Sequence, residues 1–267
     1  MSRILVNDLF FHYQEETPVL IDVNLELDRG TVAIIGQNGA GKTTFVKLLK
    51  GLLKPVQGEI FINGNNIKEK SAASLAGEIG LVFQNPSDQI FKNNVLAEVM
   101  FGPINLGFNE DEAEERARKA ISRVNLEEVT GENPYDLSLA ERKLITIASI
   151  LAMDPEIIIF DEPTIGQDYK NIELIKRIIR EEEKKDKLII TINHDMDFVA
   201  EVFNRVIVFN QGQILIDGNA REVFSREDIL QKAHLDLPSL QNLGKELGLG
   251  EIILTENEFV SRFKSMF

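Results

Sequence analysis

The 267-residue chain contains no cysteine. Disulfides, thiolate metal sites and cysteine nucleophiles are therefore excluded, and a cytosolic setting fits. A basic excess is also missing. Lysine and arginine total 29 against 43 aspartates and glutamates, for a net charge of -14. Nucleic-acid binders are normally basic, and an anionic membrane surface would repel this chain, so no nucleic acid is expected among its partners. No apolar run approaches the ~18 residues that a membrane span needs. The opening stretch MSRILVNDLFFHYQEE lacks the apolar core of a signal peptide. Any membrane role is thus expected to come through a partner. Internal repeats and low-complexity tracts are absent as well.

What is present suits one large α/β domain with a small appendage. Hydrophobic residues make up 43% and charged residues 27%, enough for a sizeable core without a bias towards disorder. Short apolar runs at Thr31–Ile35, Ile79–Phe83, Ile157–Phe160, Leu188–Ile192 and Arg205–Phe209 read as buried strands. Helical patterns at Lys42–Leu53 and Asn171–Glu183 alternate with them, which predicts a largely parallel sheet with crossover helices. Ile4–Asp8, Val23–Leu27 and Gly58–Ile62 with the Asn63-Gly64 turn read as a separate antiparallel arm. A helical insertion is expected at about 88–152, where Glu110–Arg123 runs from acids to bases in accord with the helix dipole. These readings place one domain at 1–224 and a small C-terminal segment at 225–267, a candidate for dimerisation.

Two motifs carry chemistry. Gly36-Gln37-Asn38-Gly39-Ala40-Gly41-Lys42-Thr43 matches GxxxxGK[ST], with a strand before it and an apolar-periodic helix after it. The glycines let successive N–H groups converge on phosphates, and the helix N-terminus adds positive potential. Lys42 is expected to reach the β- and γ-phosphates and Thr43 to ligate Mg²⁺. Gly36, Asn38, Gly39, Gly41 and Thr44 complete the expected cradle. Further on, Asp161 and Glu162 follow the apolar run Ile157–Phe160. A carboxylate at the end of a parallel strand borders the nucleotide crevice. Asp161 suits the Mg²⁺ shell, and Glu162 suits a general base that orients or polarises the attacking water.

The motif order resembles the ABC ATPase family over roughly residues 2–220. Gln84, at the end of Ile79–Phe83, looks like the family's Q-loop. Leu137-Ser138-Leu139-Ala140-Glu141 stands where the family has its LSGGQ signature. Asp168 matches the D-loop aspartate, and His194, after Leu188–Ile192, matches the switch histidine. The resemblance implies an α/β fold of P-loop (RecA-like) type, with an antiparallel β arm, a helical subdomain and here a small C-terminal appendage. It implies ATP and Mg as ligands and a head-to-tail dimer in which each P-loop faces the partner's signature. His194 would then contact the γ-phosphate, Gln84 would touch Mg²⁺ or the water, Tyr13 would stack on adenine, and Ser138 would reach the partner's ATP in trans.

A narrower resemblance rests on Phe83-Gln84-Asn85-Pro86-Ser87-Asp88-Gln89-Ile90-Phe91 and on His234-Leu235-Asp236-Leu237-Pro238 with Leu243-Gly244. Both are similar to segments of the ATPases of energy-coupling factor (ECF) importers of vitamins and transition-metal ions. This implies a second ABC ATPase subunit, an integral membrane coupling protein and a substrate-binding membrane protein as partners. The location implied is cytoplasmic, at the inner face of the cell membrane. A soluble ABC ATPase of the iron–sulfur-assembly type and a nucleotide-gated dimerisation module with little turnover are the alternative readings.

Two departures stand out. The signature is LSLAE, so Leu139 and Ala140 replace glycines and Glu141 replaces glutamine. In the D-loop, Gln167 stands where the family usually has leucine. Ser138 is expected to cap the following helix and leave N–H groups free for a phosphate. Glu141 is expected to weaken closure over ATP on this face, which favours a heterodimer with unequal sites over a homodimer.

Overall fold

The computed structural model describes residues 3–250 and 252–265. Two long strands, β1 (Ile4–Gln14) and β2 (Thr17–Leu27), precede β3 (Gly30–Ile35) and helix α1 (Lys42–Leu49). Then come β4 (Gln57–Ile62), β5 (Asn65–Asn66), α2 (Ala72–Leu75) and β6 (Ile79–Val82). Helices α3 (Val95–Asn105), α4 (Glu110–Arg123) and α5 (Leu139–Met153) lead to β7 (Ile157–Asp161). The chain continues through α6 (Tyr169–Glu183), β8 (Leu188–Ile192), α7 (Met196–Val202), β9 (Arg205–Asn210) and β10 (Gln213–Asn219). It finishes with α8 (Ala220–Ser225), α9 (Glu227–Lys232), α10 (Ser239–Glu246) and α11 (Glu256–Ser265).

These elements form two compact units. One runs to Glu69 and resumes at Ile192; the other is Lys70–Thr191. In the first, an antiparallel sheet has the order β2-β1-β4-β5. β1 and β2 are longer than the sequence suggests, because paired bulges hide the alternation. The register steps from Val6↔Leu25 to Leu9↔Val23 and then to Phe11↔Leu20. Each strand therefore carries one extra residue, near Asp8 and Asp22, both at positive φ. The buried parity switches from Ile4 and Val6 to Leu9 and Phe11, as a bulge requires. Asn63 and Gly64 both take positive φ, the geometry of a tight hairpin turn. In the same unit β3 pairs parallel with β9, and β10 pairs antiparallel with β9.

Helix α1 stops at Leu49, four residues short of the expected end. Gly51, at φ 66, takes the left-handed position, with Gly51 N–H on Leu48 O and Leu52 N–H on Lys47 O, both at 2.9 Å. That double closure satisfies the last carbonyls and terminates a helix. The C-terminal helices belong to this unit. Asp197 of α7 accepts from both the N–H and the hydroxyl of Ser239 at 2.6 Å, and Gln241 accepts from Ile253 N–H at 2.7 Å.

In the second unit β6 and β7 pair in parallel, from Ile79↔Ile157 to Val82↔Phe160, and β8 lies beyond β7. Every residue of β6 and the first four of β7 are buried, which is why both read as unbroken apolar runs. Helices α3–α5 lie between these paired strands in sequence, forming the helical insertion. Asn109 opens α4 in a capping box with Glu112, and Ala113, Ala117, Ala120 and Ile121 turn inward. α6 starts at Tyr169, two residues before the expected position, because Asp168 caps it and accepts from Asn171 N–H at 2.8 Å.

Candidate nucleotide-binding and catalytic site

The expected site residues fall into two sets, one in each unit. The first set is built on the β3–α1 turn. Gly36 is at φ 152, and a Cβ there would meet Phe209 O at 2.3 Å; Gly41 is at φ 102, where a Cβ would press on Leu20 and the Val19 carbonyl at 2.8 and 2.9 Å. Neither position tolerates a side chain. The loop is anchored from the β9–β10 turn. Gly212 N–H donates to Ala40 O at 3.1 Å, and Gln37 Nε2 donates to Asn210 Oδ1 at 3.1 Å. Asn210 and Gly212 were not singled out in the sequence. Their only local signal is Gln211-Gly212, an ordinary turn pair.

Lys42 is buried, and its ammonium donates to the carbonyls of Gly36 and Gln37 at 2.6 and 3.0 Å. It therefore sits within the loop it belongs to. Thr43 and Asn38 are exposed, while Thr44 is buried. The Tyr13 hydroxyl lies 3.3 Å from Thr44 Oγ1, which leaves the ring 58% exposed beside the loop. Edge-on contact with Phe11, with ring centroids 5.0 Å apart, holds the ring upright. His194 follows β8 and precedes α7, whose N-cap is Asp195. Partial burial, and then the Lys42 charge, hold the imidazole below its ordinary pKa. The structure thus brings His194 into the electrostatic field of the P-loop lysine, within one unit.

The second set lies in the other unit. Asp161 ends β7, and buried Glu162 follows at φ 49, directly before Pro163. A non-glycine residue in that region is strained by roughly 1–3 kcal/mol, and such strain concentrates at functional positions. Gln84 is exposed just past β6. Its peptide is held from α5: Lys143 Nζ donates to the carbonyls of Phe83 and Gln84 at 2.7 and 2.6 Å. Lys143 is itself only 1% exposed. Burial pushes its pKa down to about 8, against the opposing pull of Asp161 and Glu162. Sequence reasoning missed this residue. The available signal was a lone lysine on the apolar face of Leu139–Met153.

Ser138 caps α5 as expected, but the cap does not leave its polar groups free. Glu141 N–H donates to Ser138 Oγ at 3.2 Å, while the Glu141 carboxylate accepts from Ser138 N–H at 2.9 Å and from its hydroxyl at 2.6 Å. The hydroxyl and then the N–H of Ser138 hold the Glu141 carboxyl below the usual range, so it is ionised at neutral pH. The departures in signature and D-loop also touch each other. Gln167 Nε2 donates to Ala140 O at 3.4 Å, and Leu139 lies against Gly166.

Residues 20–165, more than half of the chain, match the family model described as ABC transporter. This chain belongs to the ABC transporter ATPase family. It is 41% identical over 246 residues, 91% of this chain and 88% of the relative, to the energy-coupling factor transporter ATP-binding protein EcfA of Methanocaldococcus jannaschii. Its fold superposes on CbiO1 of Clostridium perfringens, described as part of the ABC transporter complex CbiONQ, with a TM-score of 0.77 and 33% identity over 91% of this chain and 99% of that one. It also superposes on an ATP-binding cassette solved as a post-hydrolysis dimer with ADP and Pi, with a TM-score of 0.72 and 25% identity over 82% and 99% of the two chains. The chain is an ATP-binding ABC ATPase, and ATP hydrolysis is its chemistry. Among the described residues no helix is long and apolar enough to cross a membrane.

Proposed function

We propose that this chain is an ATP-hydrolysing subunit of an ECF-type importer of vitamins or transition-metal ions. It would work with a second ABC ATPase, a membrane coupling protein and a substrate-binding membrane protein, at the cytoplasmic face. The relatives named above support the class of transporter. The observation that carries the membrane partner is an exposed aromatic pair just past the Q-loop. Phe91 and Phe101 are 55% and 38% exposed and meet edge-on at 4.5 Å, with Lys92 over both rings and Ile104 exposed nearby on α3. Contiguous exposed apolar side chains mark an interaction surface, and this one suits the apolar face of a partner helix.

The site residues take the following roles. The P-loop N–H groups with Gly36, Asn38, Gly39, Gly41 and Thr44 cradle the phosphates. Lys42 neutralises the β- and γ-phosphates, and Tyr13 offers a ring face to adenine. Thr43 and Asp161 are hard oxygen donors of the kind Mg²⁺ takes alongside nucleotide phosphates, with Gln84 as a further contact. Glu162 orients and deprotonates the attacking water, and His194 donates to the γ-phosphate. Ser138 serves the partner's nucleotide in trans.

The Glu141 carboxylate bears on how these roles divide between chains. At ~8 Å from a phosphate charge it costs roughly 2 kcal/mol at an effective dielectric of 20, and it already holds the Ser138 hydroxyl. The P-loop, Glu162 and His194 carry no comparable alteration. An intact half-site on this chain and a weakened signature suit a heterodimer. Affinity purification from detergent-solubilised native membranes tests the assignment. Co-purification of an integral membrane protein and a second ATPase is expected; recovery of this chain free of membrane proteins contradicts it.

A further inference from the structure

The Q-loop is stitched to the helical insertion at several points. Besides the Lys143 contacts, Arg142 Nη1 donates to Ser87 Oγ at 3.3 Å and the Tyr135 hydroxyl donates to Ile90 O at 2.6 Å. Glu98 accepts from the N–H groups of Phe91 and Lys92 at 3.1 and 2.8 Å. Most of these bonds tie down segment ends. The Lys143 bonds differ in kind, because they grip the two peptide planes that meet at the Gln84 Cα. Each plane is rigid, so fixing both carbonyls fixes the direction in which the Gln84 side chain leaves the backbone.

The chemistry of the grip is also unusual. Among the described residues Lys143 forms no direct ion pair; its hydrogen bonds go to two neutral carbonyls. A buried ammonium without a paired carboxylate is costly. An apolar residue would pack on this helix face at lower cost, so packing alone does not account for lysine here. The charged groups acting on it are Asp161 and Glu162. Lys143 is five positions from Ser138 on α5, about 7.5 Å along the axis at 1.5 Å per residue.

We propose that Lys143 is a positioning residue for ATP hydrolysis: by clamping the Phe83 and Gln84 carbonyls to α5, it mounts the Q-loop glutamine and the signature serine on one rigid element. Gln84 and Ser138 then change position together rather than independently. The inference rests on the roles proposed above for Gln84 and Ser138, and part of its test is independent of them.

The test uses the full-length chain in its ATPase complex. Lys143→Met removes the donors at nearly constant volume. Turnover is expected to fall about tenfold, the size of effect that losing a charge-assisted hydrogen bond produces, with KM for ATP changed less than about twofold. In a Gln84→Ala background the same substitution is expected to add little, because it acts through Gln84. Lys143→Arg, which keeps charge and donors, is expected to recover part of the loss. Amide exchange over residues 83–85 is expected to quicken in Lys143→Met, a readout that needs no turnover. Should Lys143→Met not fold, Lys143→Leu, which also lacks a donor, reports on the same four quantities. Wild-type turnover in the folded variant, a full multiplicative loss on top of Gln84→Ala, or unchanged exchange at 83–85 each overturns the proposal. Absence of turnover in the wild-type complex would instead contradict the functional reading, and the exchange result would still decide the clamp.

Discussion

At the scale of single residues, two carboxylates and one lysine matter most. Glu162 sits at φ 49 before a proline, a conformation retained at a strain cost where function demands it. Glu162→Gln keeps the shape and removes the proposed base. Turnover is expected to fall at least about 100-fold, the usual scale of general-base loss, while ATP-driven association persists; gel filtration with ATP reads the second effect. Glu141 is proposed as the opposite case, a charge that would work against ATP closure. Glu141→Gln is expected to strengthen ATP-dependent association on this face by about tenfold or more, from the ~2 kcal/mol repulsion it relieves. An unchanged ATP dependence would show that the carboxylate is harmless where it lies.

Lys143 makes a pH prediction with a definite sign. Its folded pKa is about 8 against an ordinary 10.5, so between those values the unfolded chain binds more protons. Stability from this group therefore rises with pH through that window, and the burial penalty is at full strength below pH 8. Relative to Lys143→Met, the wild type is expected to gain roughly 3 kcal/mol between pH 7 and 10.5. Urea unfolding across that range checks it; parallel stability curves for the two proteins would contradict it.

At the scale of elements, the second unit is held at one corner by Glu182 of α6. Its carboxylate meets Arg123 of α4 at 2.7 Å, Lys185 at 2.7 Å and Lys187, just before β8, at 2.6 Å. Burial alone would raise its pKa, but the three cations outweigh it and bring it to about 2. This contribution is present above the ordinary value of 4.5 and is lost as pH falls towards 2. Arg123→Met is expected to cost roughly 1.5–3 kcal/mol, the scale of a hydrogen bond to a charged group, because Lys185 and Lys187 still pair the carboxylate. A melting temperature within a degree of wild type would show that Lys185 and Lys187 suffice.

Legibility in the sequence followed the same division. β3, β6, β7 and β8 were readable because burial on both faces makes continuous apolar runs. β1 and β2 were half-readable, since the bulges at Asp8 and Asp22 break the alternation. The P-loop was legible because its glycines are demanded by Phe209 O, Val19 O and positive φ. The Lys143 clamp was not, because its partners are backbone carbonyls 59 and 60 residues away, which no local pattern encodes. The Ser138 cap was legible, but Glu141 turning back onto Ser138 required coordinates.

At the scale of the whole molecule, the central proposal is that Lys42, Glu162 and His194 serve ATP hydrolysis unaltered while Glu141 weakens the signature of the same chain. Full catalytic power would then depend on a second, different chain. The most direct measurement is steady-state ATP turnover by the purified chain alone, as a function of ATP and protein concentration. Slow turnover without cooperativity in ATP is expected, rising when the co-purifying ATPase is added. Fast, cooperative turnover by the chain alone would contradict it.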